Sequence, residues 1–279
     1  MNQFERFALQ IRLQTCRMLK SRGFGHLGGA MSLVEVLAVL YGGVLNIDPT
    51  NPSWEHRDYF VLSKGHGGPS YYAALALKGY FDVSLLPTIN ANGTSIPSHP
   101  DRLKTIGVDA TTGSLGQGIS VAVGIAKAFT MDRKQNRVYT LVGDGECNEG
   151  QVWEAMQFAA HHQLSNLIIF IDENHKQLDG TTKDINNPFD LALKAESFGL
   201  FTQRVDGSDC LAIVSAIQKA KASSTASCIV LDTIKGQGLP YFETLADNHH
   251  IRFEKDSLFQ LEKAIEVLEL QLSEVQSHG

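Results

Sequence analysis

The run VYTLVGDGECNEGQVWEA, residues 138–155, changes character at one point. Its first five residues are β-branched or bulky and read as a strand bounded by glycine. That strand runs straight into Gly143-Asp144-Gly145, and helical spacing follows over about residues 148–162. A second apolar run, LIIFI at 167–171, ends at Asp172-Glu173-Asn174, and a third, CIVL, covers 228–231. Strands separated by helices argue for an α/β fold, a parallel sheet with helices on both faces. Two strand ends then bring Asp144 and Asn174 to the same sheet edge, where open α/β folds bind ligands.

The residue types at that edge suit a diphosphate held through a divalent metal. One carboxylate and one amide are hard oxygen donors, matched to octahedral Mg²⁺ or the more tolerant Ca²⁺, with phosphate oxygens and water completing the shell. Gly143 and Gly145 let main chain approach phosphates, and the helix that follows turns its free N–H groups toward negative charge.

Outward from this motif, Ser32 and Glu35 read as a capping box that opens a helix running to residue 45. Residues 118–131 read as another helix, whose Gly118 and Gly124 suggest close packing. Segments 87–118 and 172–190, rich in Gly, Pro, Asn and Ser, are long for simple connections and read as binding loops. With no repeat, low-complexity tract or linker, the expectation is a single domain over 1–279 with a C-terminal helix at about 254–275. On that helix Leu258, Leu261, Ile265, Leu268, Leu272 and Val275 form an apolar stripe. The stripe serves either packing on its own domain or docking of another subunit.

Composition narrows the function class. The chain has 279 residues, 43% hydrophobic and 19% charged, which excludes disorder as the general state. A formal charge of -6 and a pI near 5.9 leave no overall basic field for nucleic acid or anionic lipid. Cys16, Cys147, Cys210 and Cys228 are far apart, so reduced thiols are expected rather than a zinc site or disulfide framework. Glu5, Arg6 and Arg12 interrupt the N-terminal apolar residues, unlike a secretory signal. The most apolar stretch, 33–47, contains Glu35 and two glycines and is short for a membrane span. These features lead to an expectation of a cytoplasmic protein with neither nucleic acid nor membrane as partner. Gly23, Gly25 and Gly28 satisfy GxGxxG, but helical periodicity rather than a strand precedes them, so a dinucleotide site is not expected. Adjacent His161-His162 and His249-His250 should diverge, which argues against zinc, and His161, His162 and His175 read as surface or core residues.

GDG followed by Asn174 after 28 residues resembles the cofactor fingerprint of thiamine-diphosphate enzymes. Further segments resemble transketolase in particular, in that family's order: GFGHLGGAMS with His26, VLSKGHGG with His66, SHPD with His99, TTGSLGQG, GDGECNEGQVWEA, DENHKQLDG, and KGQG followed by His249. The likeness spans residues 26–249, nearly the whole chain. Departures are Ser114 where the family commonly has proline, Lys176 in place of a small or apolar residue, and His249-His250 in place of His-Gly.

The resemblance implies a thiamine-diphosphate-binding fold with thiamine diphosphate and Mg²⁺ (or Ca²⁺) as cofactors. It assigns Asp144, Asn174 and the Lys176 carbonyl to the metal, and His66, Gly143, Gly145 and His249 to the diphosphate side. Gly113, Ser114 and Leu115 match the segment that meets the aminopyrimidine, with Leu115 the apolar wedge. His26, His99 and His249 match catalytic histidines of the substrate channel, a fitting role for imidazoles where protons move near neutral pH. The implied reaction transfers a two-carbon ketol (glycolaldehyde) unit from a ketose or its phosphate to an aldose or its phosphate. In the family a pyrimidine-binding domain, whose glutamate activates the cofactor, and a C-terminal domain follow. Here the expectation is a separate C-terminal transketolase subunit carrying them, in an α2β2 heterotetramer. The alternatives are an E1 α-type subunit of a 2-oxo acid dehydrogenase, a deoxyxylulose-phosphate-type synthase, and a non-catalytic binding or regulatory homologue.

Overall fold

Alternate side chains along the central strands enter two different apolar layers, and that alternation organises the molecule. The computed structural model describes residues 1–277, with side chains described through Glu274. The chain opens with α1 (Gln3–Arg22), then β1 (Phe24–Gly25), α2 (Gly28–Met31) and α3 (Val34–Val39). The main sheet is built from β2 (Tyr59–Leu62), β3 (Val138–Gly143), β4 (Leu167–Glu173), β5 (Phe201–Asp206) and β6 (Ser227–Asp232). Helices α4 (Gly68–Lys78) and α5 (Gln117–Met131) follow β2, α6 (Gly150–His161) follows β3, and α7 (Thr182–Asn186) and α8 (Leu191–Ser197) follow β4. After β5 comes α9 (Cys210–Lys221), and after β6 come α10 (Pro240–Thr244), β7 (Ile251–Arg252) and α11 (Lys255–Ser277).

All five sheet strands run parallel in the order β2-β3-β4-β6-β5. Tyr139 and Leu141 of β3 and Ile168 and Phe170 of β4 face a layer formed by α1, α3, α4, α9 and α11. Val138, Val142, Leu167, Ile169 and Ile171 face the opposite layer, formed by α5, α6 and α8. Strands buried on both faces read as continuous apolar runs, which is why β3, β4 and β6 stand out in the sequence. β2, YFVL, is an apolar run as short as that of β6, whereas β5, FTQRVD, is a half-exposed edge strand and gives no such run.

Several local expectations need correction. Ser32 and Glu35 form no capping box, because both side chains find partners in the interior. Ser32 Oγ donates to Asp172, and Glu35 pairs with Arg12 and accepts from Gln237. The segment is divided into α2, α3 and a π-helical turn at Leu40–Val44. Gly118 does pack tightly, since a Cβ there would lie 2.6 Å from the Ser63 Cα, whereas a Cβ on Gly124 would meet open space. The 172–190 segment is shorter as a loop than expected, because β4 extends to Glu173 and α7 lies within it.

The α11 stripe packs on its own chain. Leu261, Ile265 and Leu268 are buried, Leu258 and Leu272 lie against the same core, and Arg17 and Lys20 of α1 pair with Glu269 and Glu262. The Val275 side chain lies outside the described residues. Among the described residues no helix is long and apolar enough to cross a membrane, and all four cysteines are buried and unpaired.

Candidate cofactor and metal site

β3 and β4 are registered so that Gly143 faces Asp172, and this pairing sets the site. The ladder carries on past the strand end, where the Asp144 N–H donates to the Asp172 carbonyl at 3.0 Å. Asp144 Oδ1 accepts from the Gly145 N–H at 2.8 Å and Oδ2 from the His175 N–H at 2.6 Å. With its side chain buried, and Asp172 close by, the Asp144 carboxyl is pushed up to about 7. A carboxylate so short of solvent is stabilised by a cation.

Asn174 lies two residues past the partner of Gly143. Its Nδ2 donates to Asp172 Oδ2 at 2.8 Å, so the amide oxygen faces the other way and accepts from the Lys176 N–H at 3.2 Å. The Lys176 ammonium turns aside to the carbonyls of Leu245 (2.8 Å) and Glu243 (3.4 Å). The Asp144 carboxylate and the Asn174 amide oxygen are hard donors of the kind that could hold Mg²⁺ or Ca²⁺. Among the described residues no three His, Cys, Asp or Glu side chains cluster to hold a metal by themselves. A metal held at these donors would take further oxygens from a ligand, as a diphosphate could provide.

Beneath it lies a buried ionic network. Asp172 is fully buried and takes hydrogen bonds from Ser32 Oγ at 2.7 Å and Thr233 Oγ1 at 2.5 Å, and an ion pair from Lys64. Burial alone would raise its carboxyl, but Lys64 and these hydroxyls hold it below its ordinary value. Glu146, also buried, accepts from Ser63 Oγ (2.6 Å), the Gly116 N–H (2.9 Å) and the Gly143 N–H (3.0 Å), tying the 111–118 loop to the GDG turn. Gly65 and Gly113 make close approach possible in that loop: a Cβ on Gly65 would lie 2.8 Å from the Gly113 nitrogen, and Gly113 itself has φ +146°. None of Lys64, Glu146 or Asp172 stands out in the sequence as a site residue, although each sits inside a motif that does.

Five imidazoles meet above the network. The His26 ring centroid is 5.5 Å from that of His99, 5.3 Å from His249, 4.8 Å from His250 and 6.0 Å from His66, and His66 and His249 are 4.8 Å apart. His249 and His250 do not diverge as residues of a regular strand would, because they lie in the loop before β7 and both approach His26. Burial, then the neighbouring histidines and Lys235, draws His26 down to about 3. Burial followed by Lys235 draws His249 to about 4, and His66 and His99 are lowered chiefly by burial. At neutral pH His26, His66, His99 and His249 are uncharged, each able to donate one hydrogen bond and accept one.

A cavity of about 410 Å³ gathers His26, His66, His99, Gly113, Leu115, Gly143, Asp144, Gly145, Asn174, Lys176 and His249. Of the residues singled out in the sequence only Ser114 is not part of its wall; it is exposed at the turn before α5. Between the two adjacent histidines, His249 lines the cleft while His250 is exposed and packs against Phe24, 5.7 Å away. Lys64, Glu146 and Lys235 join the wall. His161 and His175 are exposed and His162 half-buried, all outside it. A roomier depression of about 800 Å³ beside Met1, Arg6, Tyr41 and Lys78 contains none of these groups.

The sequence also has informative relatives. It is 49% identical over 247 residues to the 6-deoxy-6-sulfo-D-fructose transketolase subunit SqwG of Clostridium sp. (strain MSTE9), covering 88% of this chain and 90% of that one. It is 40% identical to one of the subunits of the apulose-4-phosphate transketolase of Actinobacillus succinogenes, covering 81% and 82%. Among solved structures, a transketolase of Pichia stipitis superposes with a TM-score of 0.86 at 28% identity, and that of Campylobacter jejuni with 0.83 at 28%. Both cover 99% of this chain, which spans 45% and 48% of theirs, so it is under half the length of these solved transketolases. A family model described as the thiamine diphosphate binding domain of transketolase matches residues 4–269, and by that match this chain belongs to the transketolase family.

Proposed function

We propose that this chain is the cofactor- and metal-holding subunit of a two-chain transketolase that moves a two-carbon ketol unit from an anionic ketose to an aldose. The observation that carries the reading is the convergence of Asp144 and Asn174, from adjacent strand ends, on one cleft with His26, His99 and His249. Support for a separate partner comes from relatives named as subunits, matched over 82–90% of their own length. Support for an anionic ketose comes from their names, one carrying a sulfonate and the other a phosphate.

In this reading Asp144, Asn174 Oδ1 and the Lys176 carbonyl would hold Mg²⁺ or Ca²⁺, which would supply positive charge to a diphosphate. His66, Gly143 and Gly145 would lie along the same anion, and Gly113 and Leu115 would meet the ring system, with Leu115 as the apolar surface. Thiamine diphosphate, when bound, supplies the electron sink for cleavage beside the ketose carbonyl. The neutral rings of His26 and His99 then share protons with sugar hydroxyl and carbonyl oxygens, a task that suits uncharged imidazoles. The activating glutamate belongs to the partner, in an assembly of two copies of each chain. Four buried, unpaired thiols agree with a cytoplasmic setting.

Calorimetry with thiamine diphosphate and Mg²⁺, with and without the partner chain, tests the assignment. Asp144→Ala should abolish the metal-dependent part of binding, and unchanged affinity would remove the central residue of the proposal.

A further inference from the structure

Lys235 follows β6 in the KGQG segment and is 2% exposed. Its Nζ donates to two acceptors, the Gln177 carbonyl at 3.1 Å and His249 Nδ1 at 3.1 Å, and neither is a carboxylate. An ammonium has three donors and no acceptor, so the imidazole nitrogen facing it must supply a lone pair. The one proton of a neutral ring then sits on the other nitrogen.

We propose that Lys235 is a positioning residue that holds His249 as its Nε2–H tautomer, so that this ring meets an anionic ligand in the cleft as a hydrogen-bond donor and not as a base. The inference deepens the function proposed above by separating His249 from His26 and His99. It rests on that reading only for the identity of the ligand.

The contact is braced from several sides, which makes it a fixed feature of the fold. Asn248, adjacent to His249, donates from Nδ2 to the carbonyls of Lys235 and Phe242, each at 2.8 Å. Its own carbonyl accepts from the Gly28 N–H at 3.0 Å, and the Gly28 carbonyl accepts from the Gly236 N–H at 3.0 Å. Gln237 in turn donates to Glu35 at 2.9 Å, and its carbonyl accepts from Arg12 Nε at 3.3 Å. Lys235 and His249 therefore approach the cleft from two segments locked to one another and to α1 and α3. Burial lowers the Lys235 ammonium to about 8, which leaves it cationic at neutral pH, and the same surroundings keep His249 uncharged.

The arrangement has a chemical consequence. A ring whose Nδ1 is occupied by an ammonium and whose Nε2 carries the proton cannot accept a proton from substrate at Nε2. It can stabilise charge on a phosphoryl or sugar oxygen through Nε2–H, the role of a preorganised donor. Metal-bound histidines follow the same logic, in which the partner on one nitrogen dictates the state of the other.

The test is the imidazole nitrogen spectrum of the full chain, labelled with ¹⁵N-histidine and recorded at pH 7 without cofactor, the His249 signals being assigned by their loss in His249→Gln. The expected pattern is an unprotonated Nδ1 and a protonated Nε2 in the native protein. In Lys235→Met the pair should shift toward the averaged values of two exchanging tautomers, and Lys235→Arg should restore the native pattern. A protonated Nδ1 in the native chain, or a native pattern that survives in Lys235→Met, would overturn the proposal. Because no cofactor is present, the result stands apart from whether thiamine diphosphate binds. The native spectrum alone decides the first point even if a variant fails to fold.

Discussion

Asp172 carries three duties at once: it neutralises Lys64, orients the Asn174 amide, and receives Ser32 and Thr233. Removing one member of a buried ion pair costs about 3–5 kcal/mol, because the other charge stays buried alone. Asp172→Asn should lose stability of that order in urea unfolding. It should also weaken metal-dependent cofactor binding by about 10- to 100-fold, the usual effect of removing a group that orients a metal ligand. A variant as stable and as tight as the native chain would show that Asn174 is oriented by something else. The histidine cluster makes a separate prediction about pH. His26 is drawn from 6.5 to about 3 and His249 from 6.5 to about 4, so below pH 6.5 the unfolded chain binds more protons than the folded one. The cluster's contribution is thus fully present above pH 6.5 and is lost as pH falls through that window toward 4 and 3. Thermal melts should show His26→Gln losing less stability than the native chain between pH 6.5 and 4; parallel curves would contradict it. Asp144, Asn174 and the histidines were legible in the sequence because turn glycines, a metal-type donor pair and the order of motifs are local signals. Lys64, Asp172, Glu146 and Lys235 were not, since nothing local distinguishes a lysine or acid destined for the interior from one on the surface.

At the scale of elements, β3 and β4 declare themselves through apolar runs, while β5 relies on one sheet neighbour and carries polar side chains to solvent. α11 shows how periodicity identifies a helix without naming its partner. Its Leu261 is fully buried and its Phe259 is 62% exposed, although both are large and apolar. Leu261→Ala should cost about 2–5 kcal/mol, the range for large-to-small changes in a core. Phe259→Ala should stay within about 0.5 kcal/mol, as surface changes do. Equal losses by chemical denaturation would mean that α11 is seated differently on α1. The Ser32–Glu35 segment illustrates the opposite failure. Its spacing is right for a capping box, but Arg12 and Asp172 offer these side chains partners in a low-dielectric interior, where charge-assisted bonds outweigh a cap worth about 1 kcal/mol.

For the molecule as a whole, the cleft at the end of the sheet gathers a carboxylate, an amide, glycines and neutral imidazoles, but the proposed function requires a further carboxylate from a partner chain. Ketol transfer assayed for this chain alone, for the partner alone and for the mixture should appear only in the mixture. Strong transfer by this chain alone would refute the two-chain proposal. Read along the chain, residue pattern was enough for the parallel α/β class, the strand-end positions of Asp144 and Asn174, and the order of the site motifs. These follow from residue period and turn chemistry, which act over a few neighbouring residues. It took the folded chain to show that Lys64 pairs with Asp172, that Glu35 meets Arg12, that α11 packs on α1, and that Lys235 faces His249. Each of those pairings joins distant segments in an interior where an unpaired polar group is costly, so the choice of partner depends on which groups the fold brings within reach.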